Sequence, residues 1–176
     1  MKNNHTRGYT LVELIVAIGL FAMIMVLASG AYLVMINASR QAQGTAAGID
    51  NLSFALETMT RTIRTGASYS CGIAEEDCDG GTSFSVTNGG KKTAYAWDGS
   101  AITQSQDDGD AKSLIDSAVK IESLKFYAVG TKSFSETGDK RQARVTIVVK
   151  GEVSSGPGKF LPFTVETSAT MRGTDI

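Results

Sequence analysis

The side chains best placed to do chemistry are carboxylates and two cysteines. Glu75, Glu76, Asp77 and Asp79 crowd into five positions, and Asp107, Asp108 and Asp110 surround Gly109. A carboxylate pair can hydrolyse glycosides when one member is held protonated and the other ionised. A run of acids within a loop is more often a solvated face, and that is the reading favoured for the first group. The second group is a candidate calcium loop, yet it lacks the alternating ligands and distal glutamate of an EF-hand. A plain polar turn is favoured there, and no metal is assigned. Cys71 and Cys78 are the only cysteines, and His5 is the only histidine. A zinc centre would need more nitrogen or sulfur ligands than these supply.

One further acid stands by itself. Glu13 lies at the edge of an uncharged run of twenty-three residues from Leu14 to Ile36. As a helix rising about 1.5 Å per residue, the run reaches roughly 35 Å, enough to cross a hydrocarbon core of about 30 Å with some tilt. A cleaved secretory signal has an apolar core of only about 7 to 15 residues, followed by a small-residue exit site, and nothing of that kind follows Ile36. Lys2 and Arg7 precede the span with no acid before Glu13. The amino terminus is therefore expected in the cytoplasm and the roughly 140 residues beyond the span outside it. A charge near the middle of a bilayer helix costs on the order of 2.5 to 3.5 kcal/mol on insertion scales, less near an end. Glu13 thus calls for a partner. The two cysteines fall after the span, in an expected oxidising compartment. A disulfide between them is favoured, closing a loop worth roughly 2 to 3 kcal/mol.

The stretch Arg7-Gly8-Tyr9-Thr10-Leu11-Val12-Glu13-Leu14-Ile15-Val16-Ala17 resembles the class III signal of type IV prepilins and type II secretion pseudopilins. The resemblance implies a basic leader, residues 1–8, cut after Gly8 by a membrane prepilin peptidase that also N-methylates the new amine of Tyr9, where the family usually has phenylalanine. Glu13 then becomes the fifth residue of the processed chain, where the family keeps its glutamate. It would meet the terminal amine of a neighbouring subunit as helices stack into a filament. Two unit charges about 4 Å apart attract by roughly 4 kcal/mol at an effective dielectric of 20, so an unpaired charge in lipid favours such docking. Loss of the leader removes His5, and with it any Ser-His-Asp or Cys-His arrangement. No enzyme activity and no cofactor are expected.

Beyond the span the chain runs without proline to Thr65, and Ile49, Leu52, Leu56, Met59 and Ile63 recur at spacings of three and four. This is one apolar stripe on a helix, with Asp50, Glu57, Arg61 and Arg64 left to water and Gly66 placed to end it. Gly44 and Gly48 are four apart, and a flexible juncture is favoured over a close helix contact. No residue between Tyr9 and Thr65 is proline, and Ser29-Gly30 is the weak point of the span. Major type IVa pilins usually carry a proline inside the span, so the resemblance leans toward a minor pilin or pseudopilin.

The remainder reads as a β-rich head. Ser83 to Val86, Thr93 to Trp97 and Ala101 to Gln104 are separated by Asn88-Gly89-Gly90 and Asp98-Gly99, strong turn chemistry for a meander. Three longer candidates follow, Ile121 to Val129, Ala143 to Val153 and Phe160 to Met171, with a hairpin loop from Ser154 to Lys159. Val145, Ile147 and Val149 alternate with Arg144, Thr146 and Val148, and Leu161, Phe163, Val165, Ala169 and Met171 share a face, so one face is buried and the helix stripe is its expected cover. Pro162 fits an edge strand. The pattern Phe163-Thr164-Val165 to Ala169-Thr170-Met171-Arg172 resembles the last strand of J-like pseudopilins and W-like minor pilins.

The expected fold is therefore α+β and pilin-like, a long amino-terminal helix packed on an antiparallel β-sheet head. Its expected segments are a leader (1–8), a membrane or filament-core helix (9–36), an amphipathic continuation (37–66) and an exported head (67–176). Lys2 and Arg7 are two of the 17 basic side chains, leaving 15 against 18 acidic ones and no long basic run, so nucleic-acid binding is not expected. The expected partners are other pilin or pseudopilin subunits, the prepilin peptidase and the bacterial inner membrane. The competing reading is a membrane-anchored exported binding domain that never polymerises.

Overall fold

The computed structural model describes residues 8–72, 77–132, 141–156 and 158–172. The helix expected from the uncharged run and the stripe is a single element, α1, Leu11–Thr65. It continues unbroken through Ser29 and Gly30. Ser29 Oγ donates to the Met25 carbonyl at 2.7 Å, which satisfies the hydroxyl within the helix. The chain divides into two units, Met1–Gln41 and Ala42–Ile176. In the first, every residue from Leu14 to Met35 is exposed, and the helix is long and apolar enough to cross a membrane.

In the second unit α1 buries Gly48, Leu52, Ala55, Leu56, Met59 and Ile63. Ile49, expected in this stripe, is instead 50% exposed. Helical spacing sets it at the margin of the buried arc, and Gly48 occupies the centre of contact in its place. Gly48 and Gly44 are accordingly not a flexible juncture. A Cβ on Gly48 would lie 2.0 Å from Val153 Cγ2, and one on Gly44 would lie 3.5 Å from the Ser154 carbonyl oxygen. Gly48 lets the helix backbone approach the strands closely, whereas a methyl group at Gly44 would make only ordinary contact. The helix stops as expected at Gly66, which is itself buried, a Cβ there falling 2.1 Å from Val86 Cγ2.

Among the described residues nine strands follow. They are β1 (Ala67–Cys71), β2 (Cys78–Gly81), β3 (Ser83–Asn88), β4 (Lys91–Trp97), β5 (Ile102–Gln106), β6 (Lys112–Ser113), β7 (Val119–Val129), β8 (Arg144–Gly156) and β9 (Lys159–Thr170). They form two antiparallel sheets, ordered β1-β3-β4-β5-β6 and β2-β7-β8-β9, so the expected covered sheet is split in two. The β3–β4 turn is Asn-Gly-Gly, with Gly89 at φ 57° and Gly90 at φ 82°, the backbone of a type I′ hairpin that glycine adopts freely. Along β7 the buried set shifts from Val119 and Ile121 to Leu124, Phe126 and Ala128. A bulge between Ile121 and Ser123 inserts the extra residue that switches faces. β8 buries Val145, Ile147, Val149, Gly151, Val153 and Ser155 in strict alternation. In β9 only the carboxyl end follows the expected face: Ala169 is buried, as is Met171 just beyond it, Phe163 and Val165 are half-buried, and Leu161 is 44% exposed. The β8–β9 connection is tighter than the loop expected over Ser154 to Lys159, since pairing continues to Gly156 and Lys159. β9 borders only β8, and Pro162 on this edge strand faces Glu152.

One hydrophobic core joins the helix stripe and both sheets. Tyr69 stacks on Phe84 (centroids 5.8 Å), and Phe84 on Phe126 (5.4 Å), a ladder from β1 and β3 of one sheet into β7 of the other. Hydrogen bonds also cross: Ile121 N–H donates to the Ser100 carbonyl at 2.7 Å, and Trp97 Nε1–H donates to the Ile121 carbonyl at 3.1 Å.

Candidate functional site

Gly8, Tyr9 and Thr10 lead into α1 without regular structure, and all three are exposed, Tyr9 at 86%. Thr10 caps the helix. Its Oγ1 accepts from the Glu13 N–H at 3.3 Å, and its carbonyl accepts from the Leu14 N–H at 3.2 Å. This satisfies donors that a helix start leaves open. Glu13 thereby occupies the third helical position, the place of the acid in a Thr-x-x-Glu capping pattern, where the positive end of the helix dipole favours a carboxylate. The sequence signal for the Thr10 cap is that four-residue spacing, which lies inside the longer apolar motif. Among the described residues no cation lies within ion-pair distance of Glu13. Its carboxylate is exposed in a first turn otherwise built of Leu11, Val12 and Leu14, all more than half exposed. Lys2, His5 and Arg7 lie outside the described residues.

The other candidate residues are taken up differently. Cys71 and Cys78 are joined in a disulfide, Cα to Cα 5.9 Å. Since β1 and β2 are edge strands of different sheets, the bond ties one sheet to the other. In the acidic loop Glu75 and Glu76 lie outside the described residues. Asp77 Oδ1 accepts from the backbone N–H and the hydroxyl of Thr131, each at 3.0 Å. Slight burial pushes the Asp77 carboxyl up, but the bonds from Thr131 and Gly130, together with Arg141, outweigh it and hold the group below the ordinary carboxylate range. Asp77 therefore anchors a loop, while Asp79 is exposed.

Around Gly109 the carboxylates close a turn. Asp107 Oδ1 accepts from the Lys92 N–H at 2.9 Å, and Asp108 pairs with Lys92 Nζ at 3.2 Å. Both aspartates have positive φ, 49° and 57°, a conformation their short polar side chains tolerate. Asp110 instead borders a shallow polar groove with Gln104, Gln106 and Lys112. Among the described residues no three His, Cys, Asp or Glu side chains converge as metal ligands. Neither Lys92 nor Thr131 was marked by any sequence signal, because each reaches its acid across the fold.

The amino-terminal geometry coincides with a family match. Residues 3–29 fit the model of the prokaryotic N-terminal methylation motif. No curated protein and no solved structure matches the chain. The motif gives the chain a type IV prepilin-like class III signal. One long apolar helix carried onto antiparallel sheets accompanies that signal, an α+β arrangement consistent with a pilin-like fold. Proteins with this motif are structural rather than catalytic. It implies dealings with a prepilin peptidase and with other pilin subunits, and with the apolar helix it points to a single-pass membrane-anchored protein.

Proposed function

We propose that the protein is a minor pilin or pseudopilin, a structural subunit of a type IV pilus or type II secretion pseudopilus. Prepilin peptidase removes residues 1–8 by cutting between Gly8 and Tyr9, and the exposed amine of Tyr9 is methylated. The processed chain stands in the bacterial inner membrane with its amino terminus cytoplasmic and the sheets outside. It then passes into the filament through its amino-terminal segment, residues 9–36, continued by residues 37–66 into the head at 67–176.

The observation that carries this reading is a carboxylate, Glu13, with no ion-pair partner among the described residues, in the first turn of a helix whose next twenty-two residues are all exposed and uncharged. Such an acid, left in lipid, is an energetic liability until a cation arrives. The methylated amine of an adjacent subunit is that cation: methylation keeps its charge and alters its hydration. Stacking the apolar helices and neutralising Glu13 then become one event.

The test is mass spectrometry of the amino terminus of protein from its own membrane, with the filament fraction assayed in parallel. The expected result is a chain beginning at N-methylated Tyr9, together with a Glu13→Ala variant that keeps a folded head and is depleted from filaments. A mature protein that still carries its basic leader in a strain with active prepilin peptidase would overturn the processing. Unchanged filament content for Glu13→Ala would overturn the pairing.

A further inference from the structure

Where α1 ends, three arginines gather at one rim of the head. Arg64 and Arg172 line two adjoining grooves, of about 260 and about 550 Å³. The smaller adds Arg61 and Glu57, and the larger adds Gln142, Ser168 and Thr170. The larger therefore contains hydrogen-bond donors and no acid among the described residues. The two arginines are held together by backbone, Arg172 N–H donating to the Arg64 carbonyl at 3.1 Å.

Basic residues at a helix carboxyl end usually complement the dipole or cap the last carbonyls, but here the carbonyls of Thr62, Ile63 and Arg64 already have partners. Thr65 Oγ1 donates to the carbonyls of Arg61 and Thr62, the Tyr69 hydroxyl donates to that of Ile63, and Arg172 takes that of Arg64. Arg61 is paired with Glu57 at 2.7 Å. Among the described residues neither Arg64 nor Arg172 has a carboxylate within ion-pair distance, and both are exposed.

We propose that this rim is a docking surface for an acidic peptide segment of another protein subunit, its carboxylates taken bidentately by Arg64 and Arg172 and its backbone bordered by Ser168 and Thr170. Guanidinium forks match carboxylate geometry. A nucleic acid is disfavoured, because its affinity depends on neutralising many phosphates, whereas this patch is small and sits on a chain of net charge −1. The inference does not depend on filament assembly.

The full chain in detergent micelles, titrated into fluorescently labelled hexaglutamate and followed by anisotropy, tests it. Binding is expected to weaken about tenfold in Arg64→Gln/Arg172→Gln and to weaken as salt is raised. A control with the same loss of charge, Lys91→Gln/Lys120→Gln, is expected to bind as the parent does. Both pairs are exposed, so melting temperatures should hold. Absence of hexaglutamate binding, equal weakening in the control, or tighter binding of a single-stranded oligonucleotide than of hexaglutamate would each overturn the proposal.

Discussion

Gly48 shows how much one missing methyl group decides. A side chain there would meet Val153 Cγ2 at 2.0 Å, with Val119 Cγ2 next at 3.5 Å. Two effects compete in Gly48→Ala: helix propensity gains about 1 kcal/mol, and overpacking a tight contact costs about 1 to 3 kcal/mol. The contact is short enough for overpacking to win, so the variant should lose about 1 kcal/mol or more in urea denaturation. In a Val153→Ala background the obstruction is gone, and the same substitution should become neutral or stabilising. A Gly48→Ala cost that is equal in both backgrounds would show that the close approach does not govern this position. Asp77 decides a different property. Its carboxyl is held below the ordinary range by Thr131 and Gly130, hence below its value of about 3.9 in the unfolded chain. The stability it contributes is present above that unfolded value and drains away as pH falls through the folded one. Asp98, held down chiefly by N–H groups of Ala101 and Ser100, acts in the same direction. Thermal melts from pH 6 to 2.5 should therefore show a shallower acid decline for Asp77→Asn than for the parent, and identical slopes would refute the assignment.

At the level of elements, periodicity was the legible signal. The helix stripe and β8 stand out because several turns or alternations repeat the same burial choice, and the β3–β4 hairpin through its Asn-Gly-Gly turn, whereas β7 changes its buried face at a bulge and β9 is buried only toward its carboxyl end. Short strands escape this logic: β1, β2 and β6 have five, four and two residues, too few for a pattern to rise above chance. The stripe misplaced Ile49 because apolarity alone cannot distinguish the centre of a helix face from its margin. Gly44 and Gly48 were misread because glycine signals looseness and close packing with the same letter. The methylation motif at residues 3–29 was legible because it is local, whereas the anchors of Asp77 and Asp107 were not, since Thr131 and Lys92 lie 54 and 15 residues away.

For the molecule as a whole, the division of strands between sheets is the feature no local reading could supply. β1 and β2 are neighbours in sequence but join different sheets, and the Cys71–Cys78 bond spans the junction. Replacing both cysteines by serine should cost roughly 2 to 3 kcal/mol by the chain-entropy account, measured as a lower urea midpoint with an unchanged slope. The parent under reducing conditions should behave the same way. If the double variant unfolds at the parent's midpoint, the bond contributes nothing to holding the sheets together.

That junction also sets an order of events for a polypeptide made from its amino end. β1 finds β3 within some fifteen residues, Cys71 lying opposite Phe84, whereas Cys78 must wait for Ala128. Until about fifty more residues have been made, β2 has no strand to lie against, and closing so long a loop is slow. Oxidation needs only the two thiols, both present long before. A bond formed early would moor the waiting segment beside the first sheet, so that the late-arriving β7 meets a fixed template rather than a wandering one.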